Sequence, residues 1–476
     1  MTGLSVVIDA GSAPIGQIPG IRFARRSVGP AARLALVFAA AAMLVQPVLA
    51  QSILRDAETE AFFRDTARPL ILAAGLTPKS VDVILVGDPE INAFVADGQN
   101  VFIFSGLIEA ADNVNQLQGV IAHELGHIAG GHNVRYGEGA GPATSISILS
   151  LIAAVGLVAI GAAEAGMAIL GLGQATAQSK YLAFSRDQES RADQAGAVFL
   201  NKAGISGRGS LDFFNKLLGN EYRLAITQDN AYNRTHPLDG ERIAFLEGVY
   251  KASPAWNTPV DPKLEARFER IKAKLVGFIE PAPRTFQLYP PSNRSEPAHY
   301  ARAYADHKSA LPDAAIEEVD TLLALHPADP FYLELKGQIL FESGRIADSI
   351  PVLRAAVAAA PAEPLIMTSL GHALISTENK ADLEEAKPLL RTAVTRDREN
   401  PDAWYQLGVI YDREGDTARA ALASAERYGL EGDTRSAAAS AKLALRGLSP
   451  GTPDWIRADD IAQVTQNDLD KKKHRR

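Results

Sequence analysis

Apolar residues in this chain recur mostly at helical spacing, and strand-like runs are few and short. Leu117, Val120 and Ile121 fall on one helical face, and their periodicity predicts a buried helix over about residues 115–133. Upstream, residues 81–86 and 100–104 alternate or run apolar as strands do. If 100–104 is an edge strand lining a cleft, an extended polypeptide can pair with it backbone to backbone; an ordinary core strand fits the pattern equally. Residues 263–278 predict another helix. Beyond it the pattern repeats. Asp329-Pro330 to Gly337, Glu363-Pro364 to Gly371 and Asn400-Pro401 to Gly408 recur at intervals of 34 and 37 residues.

The last of these copies reads Trp404-x-x-Leu407-Gly408-x-x-Tyr411 with Ala420 further on, the tetratricopeptide signature. The three extra residues of the longer interval fit a loop at Glu378-Asn379-Lys380. A looser copy begins near Pro297, and residues 436–446 read as a capping helix. Each unit pairs two helices whose apolar faces need neighbours, so stacking builds a superhelical groove of the kind that binds protein segments. Pro281-Ala282-Pro283 to Pro290-Pro291 reads as a stiff linker before the repeats.

Arg22, Arg25, Arg26 and Arg33 precede an apolar run of 12 residues, 34–45, and Val48-Leu49-Ala50 offers a small-residue cleavage site. Residues 1–50 are therefore expected to be a signal peptide, since the run is too short to span a bilayer; a retained anchor is the alternative. The chain has no Cys, which excludes disulfides, thiolate metal sites and lipoprotein attachment. Net charge is −8 and no basic stripe precedes the tail Lys471-Lys-Lys-His-Arg-Arg476, which argues against nucleic acid and leaves that tail as a solvated end. Residues 139–163 are uncharged. They are expected to form an apolar helical hairpin over the cleft that touches the membrane surface; a membrane span and a buried core helix are the other readings.

The chemistry sits at residues 123–127, His-Glu-Leu-Gly-His. Positions i and i+4 share a helical face, so His123 and His127 can present two imidazoles to one metal ion, with Glu124 beside them as general base. A catalytic zinc site needs a third protein ligand and an open position for water. His132 is one candidate, but one residue on a helix is a rotation of about 100°, and it fits better as a cation near the helix C-terminus. Glu189 is the second, with Asp193 on the same face to orient a ligating His; a solvated face of paired charges is the plain reading of that stretch. His236, in the loop signal Thr235-His236-Pro237, is the third.

Three separated motifs now stand in order: His123-Glu-Leu-Gly-His127, Ser185-Arg186-x-x-Glu189-x-x-Ala192-Asp193, and Thr235-His236-Pro237 with Arg242-Ile243 behind it. With Asn92-Ala93-Phe94, Gly98 and Ser105-Gly106-Leu107 upstream, residues 55–250 resemble the gluzincin metallopeptidases of the CAAX prenyl protease and HtpX type, in particular their periplasmic branch. The resemblance implies one Zn2+ per chain on His123, His127 and Glu189, with Glu124 as base and Asp193 in support. It also implies that His236 either stabilises the oxyanion or ligates zinc and switches the enzyme off; a fourth protein ligand would displace the water.

The expected fold class is α+β and mostly helical: a zincin-type domain with a small sheet, followed by an α-solenoid. The expected layout is a signal peptide at 1–50, a metallopeptidase domain at 51–280 with the apolar segment 140–173 near its site, a linker at 281–296, repeats at 297–450 and a tail at 451–476. The resemblance further implies a periplasmic endopeptidase acting on misfolded or stalled outer-membrane proteins, with the β-barrel assembly machinery as partner through the repeats. Two alternatives stand beside it: a chaperone-like adaptor with a latent metal site, and a membrane-embedded protease of HtpX type.

Overall fold

The computed structural model describes residues 52–96, 98–131, 186–224, 236 and 240–474. The signal peptide at 1–50, the apolar segment 140–173 and His132 lie outside the described residues.

A four-stranded sheet opens the fold: β1 (Ser52–Leu54), β2 (Val83–Gly87), β3 (Ala93–Ala96) and β4 (Asn100–Phe104). Its order is β1-β2-β4-β3. β2 and β4 run parallel, and β1 and β3 flank them antiparallel. Asn100–Phe104 is thus a central strand, and the edge toward the site is β3. Burial explains this: Val101, Phe102, Ile103 and Phe104 are all buried, as a strand paired on both sides requires, whereas in β3 only Ala93 is buried.

The motif helix runs Val114–Gly130. Asn113 caps it by accepting a hydrogen bond from the Gln116 N–H. Gly131, in the left-handed region at φ 63°, ends it short of residue 133. Leu117, Val120, Ile121 and Leu125 bury one face in a core shared with Phe62, Phe63, Ile103, Leu107, Phe213 and Phe268. The helix over residues 186–202 and the helix Arg208–Leu224 complete its surroundings.

From Glu296 onward the chain is a stack of antiparallel helix pairs. Asp329, Glu363 and Asn400 stand at the helix N-caps with Pro at the first helical position. Gly337 and Gly371 recur because a Cβ there would lie 2.5 Å from Leu353 and 2.7 Å from Leu390 of the partner helix. Within residues 281–296, expected as a stiff linker, Ala282–Leu288 is helical. Within residues 451–476, expected as a C-terminal tail, Pro453–His474 is a helix that buries Ala458, Ile461 and Ala462 against the preceding pair. Among the described residues no helix is long and apolar enough to cross a membrane.

The repeats are clamped to the first half of the chain by ion pairs. Helix Pro262–Ile279 packs along helix Glu296–Lys308, where a Cβ on Gly277 would meet the Ala301 carbonyl at 2.5 Å. Arg270 forks onto Asp329 at 2.7 and 2.8 Å and lies 3.8 Å over the Tyr332 ring. Lys274 reaches Asp56 at 2.5 Å and Glu58 at 3.2 Å. Arg64 pairs with Glu363 at 2.8 Å and Arg55 with Asp397 at 2.7 Å. Two successive N-cap residues, Asp329 and Glu363, and Asp397 at the end of a later repeat helix are therefore each held by an arginine from outside the solenoid.

Candidate metal centre

The approach of two helices builds the site. A Cβ on Gly126 would lie 2.4 Å from the Ala192 carbonyl oxygen and 2.8 Å from its Cα, so only Gly lets the motif helix come this close to helix 186–202. Gly196 does the same from the other side, 3.0 Å from the Ala122 carbonyl. That contact sets Glu189 and Asp193 opposite the two histidines.

The donor atoms of His123, His127, Glu189 and His236 lie within 4.8 Å of one another. His123 Nε2 and His127 Nε2 face each other at 3.1 Å. Glu189 presents Oε2 to His123 and Oε1 to His127, each at 3.4 Å. His123 Nδ1–H donates to Asp193 Oδ1 at 2.9 Å, which turns its Nε2 lone pair inward. Arg242, one-tenth exposed, donates from Nε to Asp193 Oδ2 at 2.9 Å and from Nη2 to Glu189 Oε2 at 3.4 Å. His236 Nδ1 lies 3.2 Å from both Glu189 oxygens and 3.3 Å from His123 Nε2.

Electrostatics favour positive charge here. Burial opposes charge on His123, but Asp193 and Glu189 outweigh it and push its pKa up to about 10. Burial likewise opposes the Glu189 carboxylate, yet His236 and His123 hold it well below the usual range. His236 is raised by Glu189 and Glu124 against its own desolvation. Glu124 is fully buried, and desolvation raises its carboxyl despite His236 and His123. Neither Glu124 oxygen has a hydrogen-bond partner among the described residues; His236 Nε2 lies 3.4 Å from Oε1.

Two inward imidazole nitrogens, a carboxylate and surrounding negative charge are a donor set that fits a borderline divalent cation. The structure brings together the sequence-named residues His123, Glu124, His127, Glu189, Asp193 and His236. Two contributors were not singled out for a role. Arg242 was visible as part of a motif but carried no chemistry by itself. The Ala93 carbonyl, 3.2 Å from His236 Nε2, is a backbone atom that no residue pattern reports.

Comparison with known proteins agrees with this geometry. Residues 36–250 match the model of peptidase family M48, and residues 300–364 and 379–430 match the tetratricopeptide repeat. The chain carries an M48 peptidase domain followed by tetratricopeptide repeats. It is 25% identical over 395 residues to the beta-barrel assembly-enhancing protease of Yersinia pestis, covering 80% of this chain and 79% of that one. The protein of the same name from Escherichia coli K12 is 25% identical over 397 residues, covering 80% and 78%. Metalloprotease YcaL of the same strain is 32% identical over 142 residues, 30% of this chain and 52% of that one. The chain is a metallopeptidase whose His–Glu cluster is compatible with a metal ion.

Proposed function

We propose that this chain is a zinc endopeptidase of the bacterial periplasm that hydrolyses misfolded or stalled outer-membrane proteins during β-barrel assembly. One observation carries the reading: His123, His127 and Glu189 converge beside Glu124, a buried carboxylate with no hydrogen-bond partner among the described residues. The name shared by the relatives supports the link to barrel assembly, and the repeats support a protein partner, here the assembly machinery. Residues 1–50 would direct export, and segment 140–173 would touch the membrane surface.

One Zn2+ per chain would sit on His123 Nε2, His127 Nε2 and Glu189, where it supplies Lewis-acid polarisation of a peptide carbonyl. Glu124 takes the proton of the attacking water and returns it to the leaving amine; its raised carboxyl suits both transfers. Asp193 fixes the His123 ring through Nδ1, and Arg242 holds Asp193. An extended substrate pairs with the edge strand β3 beside the motif helix, which gives sequence-tolerant binding. His236 brings a fourth protein donor to a site that needs an open position, and this supports a latched form of the enzyme.

The test is metal content and casein cleavage by purified residues 51–476 alongside Glu124→Gln. One zinc in each protein, with cleavage lost in the variant, is the expected result. One zinc with no cleavage by either would favour the adaptor, and absence of zinc would overturn the reading.

A further inference from the structure

Two helices reach His123 from different sides of the motif helix. Helix 186–202 runs antiparallel to it, Gly196 facing Ala122 and Gly126 facing Ala192, and supplies Asp193 to the Nδ1–H. Helix Arg208–Leu224 runs parallel to it and is locked in register. Asn115 accepts from the Gly209 N–H at 2.8 Å and donates to the Ser206 carbonyl at 2.9 Å. A Cβ on Gly119 would lie 2.7 Å from Ser210 Cα. One turn further along both helices, Phe214 stands against His123, the ring centroids 6.1 Å apart and the planes at 85°. Tyr250 donates its hydroxyl to Ser210 Oγ at 3.1 Å and so ties the same turn from a third helix. Phe214 is 1% exposed and belongs to the apolar core, so its ring is a fixed wall.

We propose that Phe214 is a positioning residue for the metal centre: its ring fixes the tilt of the His123 imidazole, and with it the aim of Nε2. The hydrogen bond to Asp193 selects which nitrogen turns inward. The outer torsion of a histidine is broad, so a single bond at Nδ1 leaves the ring room to tilt, and a packed wall removes that room. A polar hold from one helix and an apolar one from another thus act on the same ring. The effect on metal affinity rests on the zinc peptidase reading. The restraint on the ring does not, because Asp193 and Phe214 act on His123 in the metal-free protein as well.

The experiment compares residues 51–476 with Phe214→Leu, Phe214→Met and Phe268→Leu. Met nearly keeps the volume and carries the test if the Leu variant does not fold. Phe268, fully buried in the same core against Phe62, controls for plain loss of packing. Zinc affinity is read by competition with a chromogenic chelator. The His123 Nδ1–H signal is read by NMR in the metal-free, 15N-histidine-labelled protein and assigned with His123→Gln. Both Phe214 variants are expected to bind zinc about tenfold more weakly and to broaden that signal, while Phe268→Leu lowers the urea midpoint and leaves both readings at parent values. Parent affinity or a parent signal in the folded Phe214 variants would overturn the proposal. Equal weakening by Phe268→Leu would also overturn it, since loosening anywhere in the core would then suffice. A parent without a resolved Nδ1–H signal would do the same, because the ring would be mobile with the wall in place. Failure of the zinc reading would show separately, as a parent protein that takes up no metal, while the metal-free signal would still report on Phe214.

Discussion

His123 donates its Nδ1–H to Asp193 Oδ1 across 2.9 Å, and this bond decides which nitrogen of the ring faces the other donors. Asp193 is itself held on its second oxygen by Arg242, which also reaches Glu189. Arg242→Met should therefore leave the ligand set intact but loosen it, lowering metal affinity about 10- to 100-fold. Competition with a chromogenic chelator reads this directly. Unchanged affinity would reduce Arg242 to a charge partner of no consequence for the site.

Gly126 tests the helix approach. Its missing Cβ leaves room for the Ala192 backbone, and that backbone atom has no rotamer by which to yield. Gly126→Ala is expected to push helix 186–202 outward, cost about 1–3 kcal/mol of stability, and weaken metal binding even where the protein still folds. Urea midpoints and zinc content of the same preparation check both effects; a variant with normal stability and normal zinc would show that the helices have slack.

His236→Ala should raise the single-turnover rate on an unfolded substrate. A latch closed about nine-tenths of the time lowers the competent fraction about tenfold, so a gain of about that size is expected. A fall in rate would instead assign the histidine to the oxyanion.

Much of this was legible beforehand, because helical periodicity and side-chain spacing report directly on helices and on residues that share a face. The motif helix, the Glu189–Asp193 pair and the tetratricopeptide units are of that kind. Strand order is not, since it is set by which apolar run finds two partners. The burial of Val101–Phe104 that marks a central strand exists only once both neighbouring strands are paired. The terminal helix was hidden by charge: Ala458, Ile461 and Ala462 hold helical spacing, but Asp459, Asp460 and the lysines beyond them dominate the composition. Gly126 fills an unspecified position of the metal motif, so its packing role appears only once helix 186–202 is in place.

Arg270 tests the clamp between the two halves. It is charged and mostly buried, forked onto Asp329, paired with Glu58 and stacked on Tyr332. Removing one member of a buried charge network strands the others, so Arg270→Ala should cost about 3–5 kcal/mol. Thermal unfolding checks the size, and limited proteolysis between residues 280 and 296 checks whether the repeats have come away. A loss under about 1 kcal/mol would mean that water reaches the seam and screens it.

Glu334 gives the same seam a pH dependence. It accepts a hydrogen bond from Ser369 Oγ at 3.2 Å and lies in the field of Lys274, Asp56 and Glu58. Desolvation pushes its carboxyl from 4.5 up to about 7, with Lys274 opposing and Asp56 adding to the rise. The folded state thus binds this proton more tightly than the unfolded chain does. The contribution to stability is complete below the unfolded value of 4.5, and it is lost as pH rises through about 7. Glu334→Gln keeps the hydrogen bond to Ser369 and removes the titration. Its urea stability relative to the parent should rise across that window and exceed the parent by about 2 kcal/mol near pH 8. Because other groups titrate in both proteins alike, the difference between the two curves isolates Glu334. A difference that stays flat from about pH 5 to 8 would show that the Glu334 carboxyl is solvated and titrates near its ordinary value.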